Sequence, residues 1–589
     1  MMMPLFMPVD EWLQAFTPPF DNGIKQTLLR LYGNKPSIWA ERCRLFREAL
    51  GAYRERYGSG PVLLSRSPAR LSLNPHSDHQ GSYVLYGCHA REIVVVVGWR
   101  DDDQFVVGNA APEFASGLTF GVPQEVALDA AAWERGWVEY IDTPAVKAAV
   151  AELKDRKNRA AGRTGTVNYV KGAVLRLAHA RPGEIDHGLN LLVAGDIHYG
   201  AGQSSSSAIV VATALAVNAV YHLGFERKAL VRLLGEAEWY VGTRGGSGDQ
   251  AAMLLGQRGK LTNIQFVPPL GFRDLRTTEF PDGYQMYIVN SGTRAEKSSA
   301  QKRMFNSGVF AYKFAYSEMH RALVRNHSRW GIPNEVIEGT HWLADFNTER
   351  LPLPRIYDLL QTLEADCPME EIERRYPEQF GQLTQSFFDT SDLDLLPKSV
   401  PLRGAAMYGI GRADRGMMQD MLLATASPEA MVEFGELTTI THDGDRRFQR
   451  DGNGTMAPYR GHLDRLSDDY LGKMAHQASE APRGSTAWEA IQLRRQPGFY
   501  GASVQQLDAI VDLVTPLDGV LGAGLMGAGG GGVVLVVTRD SEEVESNLRQ
   551  TLSRDYYEAE GLAPDIERWT PVEGAGVFSI LGDWQTSAS

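Results

Sequence analysis

The stretch GDIHYGAGQSSSSAIVVATALAV, Gly195–Val217, sets four consecutive serines behind two glycines and opens directly onto an apolar run. A slack Gly/Ser linker is one reading, but the apolar run begins at Ala208 without delay, which weakens it. A helix amino terminus offers unpaired N–H groups and the positive end of the helix dipole, so anions bind there without a charged side chain. Gly200 and Gly202 let the backbone approach phosphate oxygens closely. The hydroxyls of Ser204, Ser205, Ser206 and Ser207 can donate to phosphate or ligate Mg²⁺. The stretch has no lysine, so it is not the GxxxxGK[ST] nucleotide loop. The plainer competitor is an N-capped core helix.

Three further stretches carry chemistry. Gly522–Gly532, GAGLMGAGGGG, has seven glycines in eleven residues and precedes the apolar run VVLVVT. It reads as a loop, Gly527 and Gly529 included, whose backbone passes close to a ligand. Ser65–Gly87, SRSPARLSLNPHSDHQGSYVLYG, crowds Arg70, His76, Asp78, His79 and Gln80 into one turn between strands. A single polar residue there would be a turn-former, but this density of hydrogen-bonding groups suits a polyol. Val241–Gln250, VGTRGGSGDQ, puts Asp249 after a glycine-rich bend, where a carboxylate can point into a cleft.

The bulk properties narrow the partners. A chain of 589 residues exceeds what one core usually supports, so two domains are expected. Its formal charge of −13 argues against nucleic acid as the main partner. The three cysteines, Cys43, Cys88 and Cys367, are far apart in sequence, which excludes a zinc knuckle and suits a reducing cytoplasm. MMMPLFMPVDEW lacks a basic start and makes a poor signal peptide. The run Ala208–Leu223 is broken by Asn218 and His222 and reads as a core helix rather than a membrane span.

Along the chain, residues 11–57 are helical with a break at Pro18-Pro19, and strands follow on either side of a turn at Pro68. EIVVVVGW, Glu92–Trp99, is a buried strand, with DDDQFVV after it as a turn and an edge or hairpin partner. Helices dominate 145–180, 206–223 and 226–240, strands return near Lys260, and 296–326 is a long amphipathic helix. The stretch 327–400 looks like an insertion, and no solenoid repeat is visible.

In their order, these loops resemble the family named for galactokinase, homoserine kinase, mevalonate kinase and phosphomevalonate kinase. The likeness is to the galactokinase branch. ARLSLNPHSDHQGS stands for GRxNLIGEHxDYNGG, one residue shorter and without the Glu before His76. GAGQSSSSA stands for GxGLSSSA, and GSGDQ for Gly-Ile-Met-Asp-Gln. NSGTRAEKSSAQKR resembles NSNVRHxLxxxxYNxRR, and GFYGASVQQLD with GAGLMGAGGGG resembles the carboxyl-terminal portion. The likeness covers about residues 60–315 and 405–580.

The resemblance implies an α/β (α+β) fold of two domains: a ribosomal S5 domain 2-like one over 1–255 and a ferredoxin-like one over 256–589. It implies transfer of the ATP γ-phosphoryl group, with Mg²⁺, to the anomeric hydroxyl of a galacto-configured sugar. Asp249 is then the base or orienter with Arg70 beside it, while His76, Asp78, His79 and Gln80 meet the sugar. Ser206 and Glu238 are the implied metal ligands, with Ser205 or Ser207 as alternatives given the extra residue in the loop, and Glu238 standing one residue too near Asp249. DHQG in place of DYNG is similar to galacturonate kinases, and the insertion before PLRGAAMYGIGRADR to L-arabinose kinases. A silent regulator that binds sugar and ATP is the alternative of another class. The expected protein is cytoplasmic, a monomer or homodimer, with neither nucleic acid nor membrane as partner.

Overall fold

The computed structural model describes residues 6–578 except 74, 77–79, 113, 115–117, 162–166, 201, 243, 268–269, 295–298, 388–396 and 453. Asp78 and His79 therefore lie outside the described residues.

The apolar run Glu92–Trp99 organises the amino-terminal half. It belongs to a long strand, Tyr83–Trp99, whose alternate side chains enter different cores. Ile93, Val95 and Val97 pack with the helices Val167–Ala180 and Ser205–Val220. Val94 and Val96 pack with Trp12, Phe16, Leu28 and Phe46 of the amino-terminal helices. A strand apolar on both faces is thus explained by helices covering both faces of its sheet.

Among the described residues this sheet has nine strands. The strand Pro61–Ser72 pairs along one edge of Tyr83–Trp99, which divides its other edge between Leu189–Gly195 and Lys260–Val267. Gly271–Glu279 follows outside Lys260–Val267. These two late strands lie beyond the expected boundary near 255 and still pair into the amino-terminal sheet. Two local expectations are corrected. Pro68 makes no turn: Pro61–Ser72 is one strand with a bulge between Pro68 and Ala69, a position that tolerates the missing N–H. Gln104–Asn109 is not a hairpin partner of its predecessor. It pairs in parallel with Leu189–Gly195 and antiparallel with Leu118–Gly121.

The second sheet is antiparallel, in the order Val520–Met526, Val533–Arg539, Tyr284–Asn290, Ile566–Arg568. Half of the expected glycine loop is therefore strand. A Cβ on Gly522 would lie 1.9 Å from the Gly435 carbonyl oxygen, so glycine lets the helix Pro428–Asp445 lie flat on this strand. Only residues 527–532 form the loop. The long helices Ser299–Trp330 and Leu402–Thr425 share a core with the stretch 327–400: Leu343, Phe346, Ile356, Tyr357 and Leu360 pack with Phe310, Phe314 and Met407. That stretch is part of the carboxyl-terminal core rather than an appendage.

Two features join the halves. An apolar cluster sets Leu71, Leu85 and Leu261 of the first sheet against Met286, Ile288, Met526 and Leu535 of the second. The chain end also returns to the first sheet, where Gly576–Val577 pairs with Ser65 and Arg66. There Arg66 and Glu92 form a fully buried ion pair, with Arg66 Nε donating to Glu92 Oε1 at 2.7 Å. Arg66 also donates to the carbonyls of Gly574 and Glu573, and the Tyr32 hydroxyl donates to Glu92. Removing one member of such a pair leaves an uncompensated charge. Glu92→Ala is therefore expected to cost about 3–5 kcal/mol of stability, read from urea unfolding.

Candidate active site

The four serines mark the start of the helix Ser205–Val220. Gly200 and Gly202 both take positive φ, 74° and 73°, and Ser204 is itself left-handed at 61°. Ser204 makes no side-chain cap to this helix. Its hydroxyl donates instead to Asp249 Oδ2. The hydroxyls of Ser206 and Ser207 donate to Glu238, at 2.9 and 2.7 Å. An N-capped core helix would spend a serine on its own amides, so the capping reading fails here. Ser205 is the first residue of the helix.

Asp249 lies in the first turn of the helix Gly248–Leu255. Its Oδ1 accepts from Arg70 Nε at 2.7 Å, and Arg70 Nη1 donates to the Gly202 carbonyl at 2.7 Å. Arg70 is buried, whereas the Asp249 side chain keeps 31% exposure. A carboxylate held by a buried cation and a serine hydroxyl, yet open on one side, can take or orient a proton of a bound hydroxyl group. Beside it, Glu238 ends the helix Arg227–Glu238 and also accepts from Gln250 Nε2 at 2.7 Å. The Ser206 hydroxyl and Glu238 carboxylate are hard oxygen donors in contact, a donor set that fits Mg²⁺.

The glycine loop meets the serine loop backbone to backbone. A Cβ on Gly202 would lie 3.0 Å from the Met526 carbonyl oxygen, and one on Gly527 would lie 2.8 Å from that of Gly202. Gly529 packs against the Ala502 carbonyl, and Gly530 N–H donates to the same oxygen at 2.8 Å.

The polar turn after Arg70 is held from the carboxyl-terminal half. His76 is buried, takes φ 65° and stacks on Tyr500 with ring centroids 4.4 Å apart. Its carbonyl accepts from the Tyr312 hydroxyl and from Gln80 Nε2. Gln80 is 2% exposed, and its side chain lies against Gly409. It braces the turn.

Sequence reasoning missed the groups behind this turn. Arg412 is fully buried and donates to the Pro75 carbonyl at 2.6 Å. The Tyr408 hydroxyl donates to Asp445 Oδ2 at 2.7 Å, and Asp445 Oδ1 lies 3.8 Å from His76 Nε2. A signal was present: an arginine within GAAMYGIGRADRG, a helix of small residues that packs closely, has little choice but burial.

Comparisons with known proteins bear on the fold that carries these residues. Residues 168–257, which hold the serine loop, Glu238 and Asp249, match the GHMP kinases N terminal domain. The fold is similar to that of Lactococcus lactis galactokinase complexed with galactose, with a TM-score of 0.53 at 18% identity, covering 89% of this chain and 97% of that one. This is the GHMP kinase fold. In sequence, the chain is 24% identical over 289 residues to a galactokinase of Schizosaccharomyces pombe, covering 49% of this chain and 51% of that protein. It is 29% identical over 228 residues to one of Exiguobacterium sibiricum, covering 37% and 53%. The chain thus spans about half the length of the curated relatives it matches. Among the described residues, no helix is long and apolar enough to cross a membrane.

Burial raises the Asp445 carboxyl from 3.8 to about 6, against the lowering effects of the Tyr408 hydroxyl, Arg412, His442 and a backbone contact to Ala502. The folded state therefore holds this proton to higher pH than the unfolded chain, and its share of stability falls as pH rises from about 4 to about 6. Asp445→Asn is expected to flatten the loss of urea stability across that window, by up to roughly 3 kcal/mol.

Proposed function

We propose that this protein is an ATP-dependent sugar 1-kinase acting on a galacto-configured monosaccharide, with galactose the first candidate. The observation that carries the reading is the bonding of the serine loop. Its hydroxyls serve two carboxylates, Asp249 and Glu238, at the amino end of a helix suited to anions.

In this reading the helix Ser205–Val220 receives the ATP phosphates, with Gly200 and Gly202 admitting them close to the backbone. Ser206 and Glu238 would hold Mg²⁺, which would supply neutralisation of the phosphate charge. Asp249 orients the anomeric hydroxyl and takes its proton as the sugar oxygen forms its bond to the γ-phosphorus. The bond from that phosphorus to ADP breaks in the same transfer. Arg70 fixes the Asp249 carboxylate, and its charge favours the transferring phosphoryl group. Gly527 and Gly529 close the site from the second sheet. His76 supplies part of the sugar-binding wall, with Asp78 and His79 on the same turn of sequence. Such catalysis is mostly positioning, which suits a centre built from two domains. The enzyme is proposed to be cytoplasmic, as a monomer or homodimer.

An ADP-release screen with galactose, L-arabinose and galacturonate tests the reaction. Turnover on at least one is expected, and ATP and sugar binding without turnover would establish a silent regulator instead. Asp249→Asn is expected to keep ATP binding and lose phosphoryl transfer by about 10²-fold or more. Near-normal turnover would remove Asp249 from its role. Ser206→Ala should raise the Mg²⁺ concentration needed for half-maximal rate while thermal stability holds, whereas lost stability with unchanged Mg²⁺ dependence would make the loop structural.

A further inference from the structure

The stretch 327–400 reaches the polar turn itself. Its short helical turn Leu343–Asp345 follows Trp342, and Ala344 N–H donates to the Gln80 carbonyl at 3.1 Å. Gly81, at φ 79°, lies directly beneath Trp342: a Cβ there would stand 2.9 Å from Trp342 Cδ1 and 3.1 Å from its Cβ and Cγ. The opposite side of the same residues is held by the first sheet, where Gln265 Nε2 donates to the Gly81 carbonyl and Phe266 N–H to that of Ser82.

Trp342 is itself fixed. Asp345 is buried, and its Oδ2 accepts from the amides of His341 and Trp342 at 2.8 and 2.9 Å. Arg350 pairs with the same carboxylate at 3.3 Å. Leu343 and Phe346 anchor the turn in the carboxyl-terminal core, and the Tyr316 hydroxyl donates to the Thr340 carbonyl at 2.9 Å. An anchored element of the stretch 327–400 therefore presses on the end of the turn that holds His76 and that follows the strand carrying Arg70.

We propose that Trp342 and Ala344 are positioning residues that clamp Gln80 and Gly81, so that the inserted stretch sets the protein's affinity for its sugar while leaving the nucleotide side alone. The proposal rests on the sugar-kinase reading. Trp342 acts through the turn rather than on the reacting atoms. Its indole lies over a glycine, and truncation to alanine at 342 removes the ring and leaves only the Cβ contact.

The test compares the full chain with Trp342→Ala and Trp342→Phe. The alanine variant is expected to raise the KM for sugar about tenfold, corresponding to about 1.4 kcal/mol, with the KM for ATP within about twofold. Phenylalanine, which restores a flat ring over Gly81, should return most of the loss. An unchanged sugar KM in Trp342→Ala overturns the clamp, as does a parallel rise of both KM values with lowered thermal stability. Hydrogen exchange separates this failure from failure of the sugar-kinase reading. Peptides covering residues 80–86 should exchange about tenfold faster in Trp342→Ala whatever the wild type phosphorylates. Unchanged exchange overturns the clamp even in an active enzyme, and faster exchange in a chain that phosphorylates no sugar overturns the reaction alone. Should Trp342→Ala fail to fold, Asp345→Ala, which frees the Trp342 amide, is scored in the same way.

Discussion

Arg70 carries a charge that the fold has almost wholly removed from water, and a buried cation is tolerable only with close hydrogen-bonding partners. It donates to the Asp249 carboxylate and to the Gly202 carbonyl, which belong to different segments of the amino-terminal half. One guanidinium therefore fixes the distance between a carboxylate and a helix amino terminus. The strand Pro61–Ser72 pairs Arg70 opposite Cys88 of Tyr83–Trp99, which fixes the backbone from which the cation reaches.

The second constraint is proximity of backbones. Gly202 and Gly527 approach so closely that neither position has space for a side chain. This contact brings a loop of the second sheet over the serine helix. The apolar cluster joining Leu71, Leu85 and Leu261 to Met286, Ile288 and Leu535 gives it a firm base. The pairing of Lys260–Val267 and Gly271–Glu279 with the first sheet, past the expected domain boundary, stiffens the same junction. A site whose work is positioning depends on such rigidity more than on any single contact.

Behind the polar turn, the helix Leu402–Thr425 combines small residues with buried arginines. Gly409 makes room for Gln80, while Arg412 reaches the Pro75 carbonyl and lies over Tyr408. Asp445 completes this group at the cost of a carboxyl raised by burial. Together with Tyr312 and Tyr500 these residues hold His76 from the carboxyl-terminal half, so the turn is held by residues from both halves of the chain.

By itself the sequence determined the buried strand Glu92–Trp99 and the helix opening at the serines, and it brought forward Arg70, Ser204–Ser207, Glu238 and Asp249 as candidates. The strand, the helix start and Asp249 follow from local pattern: a continuous apolar run, hydroxyls and glycines before a helix, a carboxylate after a glycine bend. Glu238 and the roles of Arg70 and Ser206 came only with the family resemblance. Only the tertiary structure decided that Gly522 and Gly524 lie within a strand, because their glycines answer to a helix distant in sequence. Pro68 likewise reads as a turn until the pairing partner that accommodates its bulge is known. The pair Arg66–Glu92, the group around Asp445, and the contact of Trp342 with Gly81 were equally hidden. They join residues far apart in the chain, and a charge or an aromatic ring carries no local mark of the partner that will bury it.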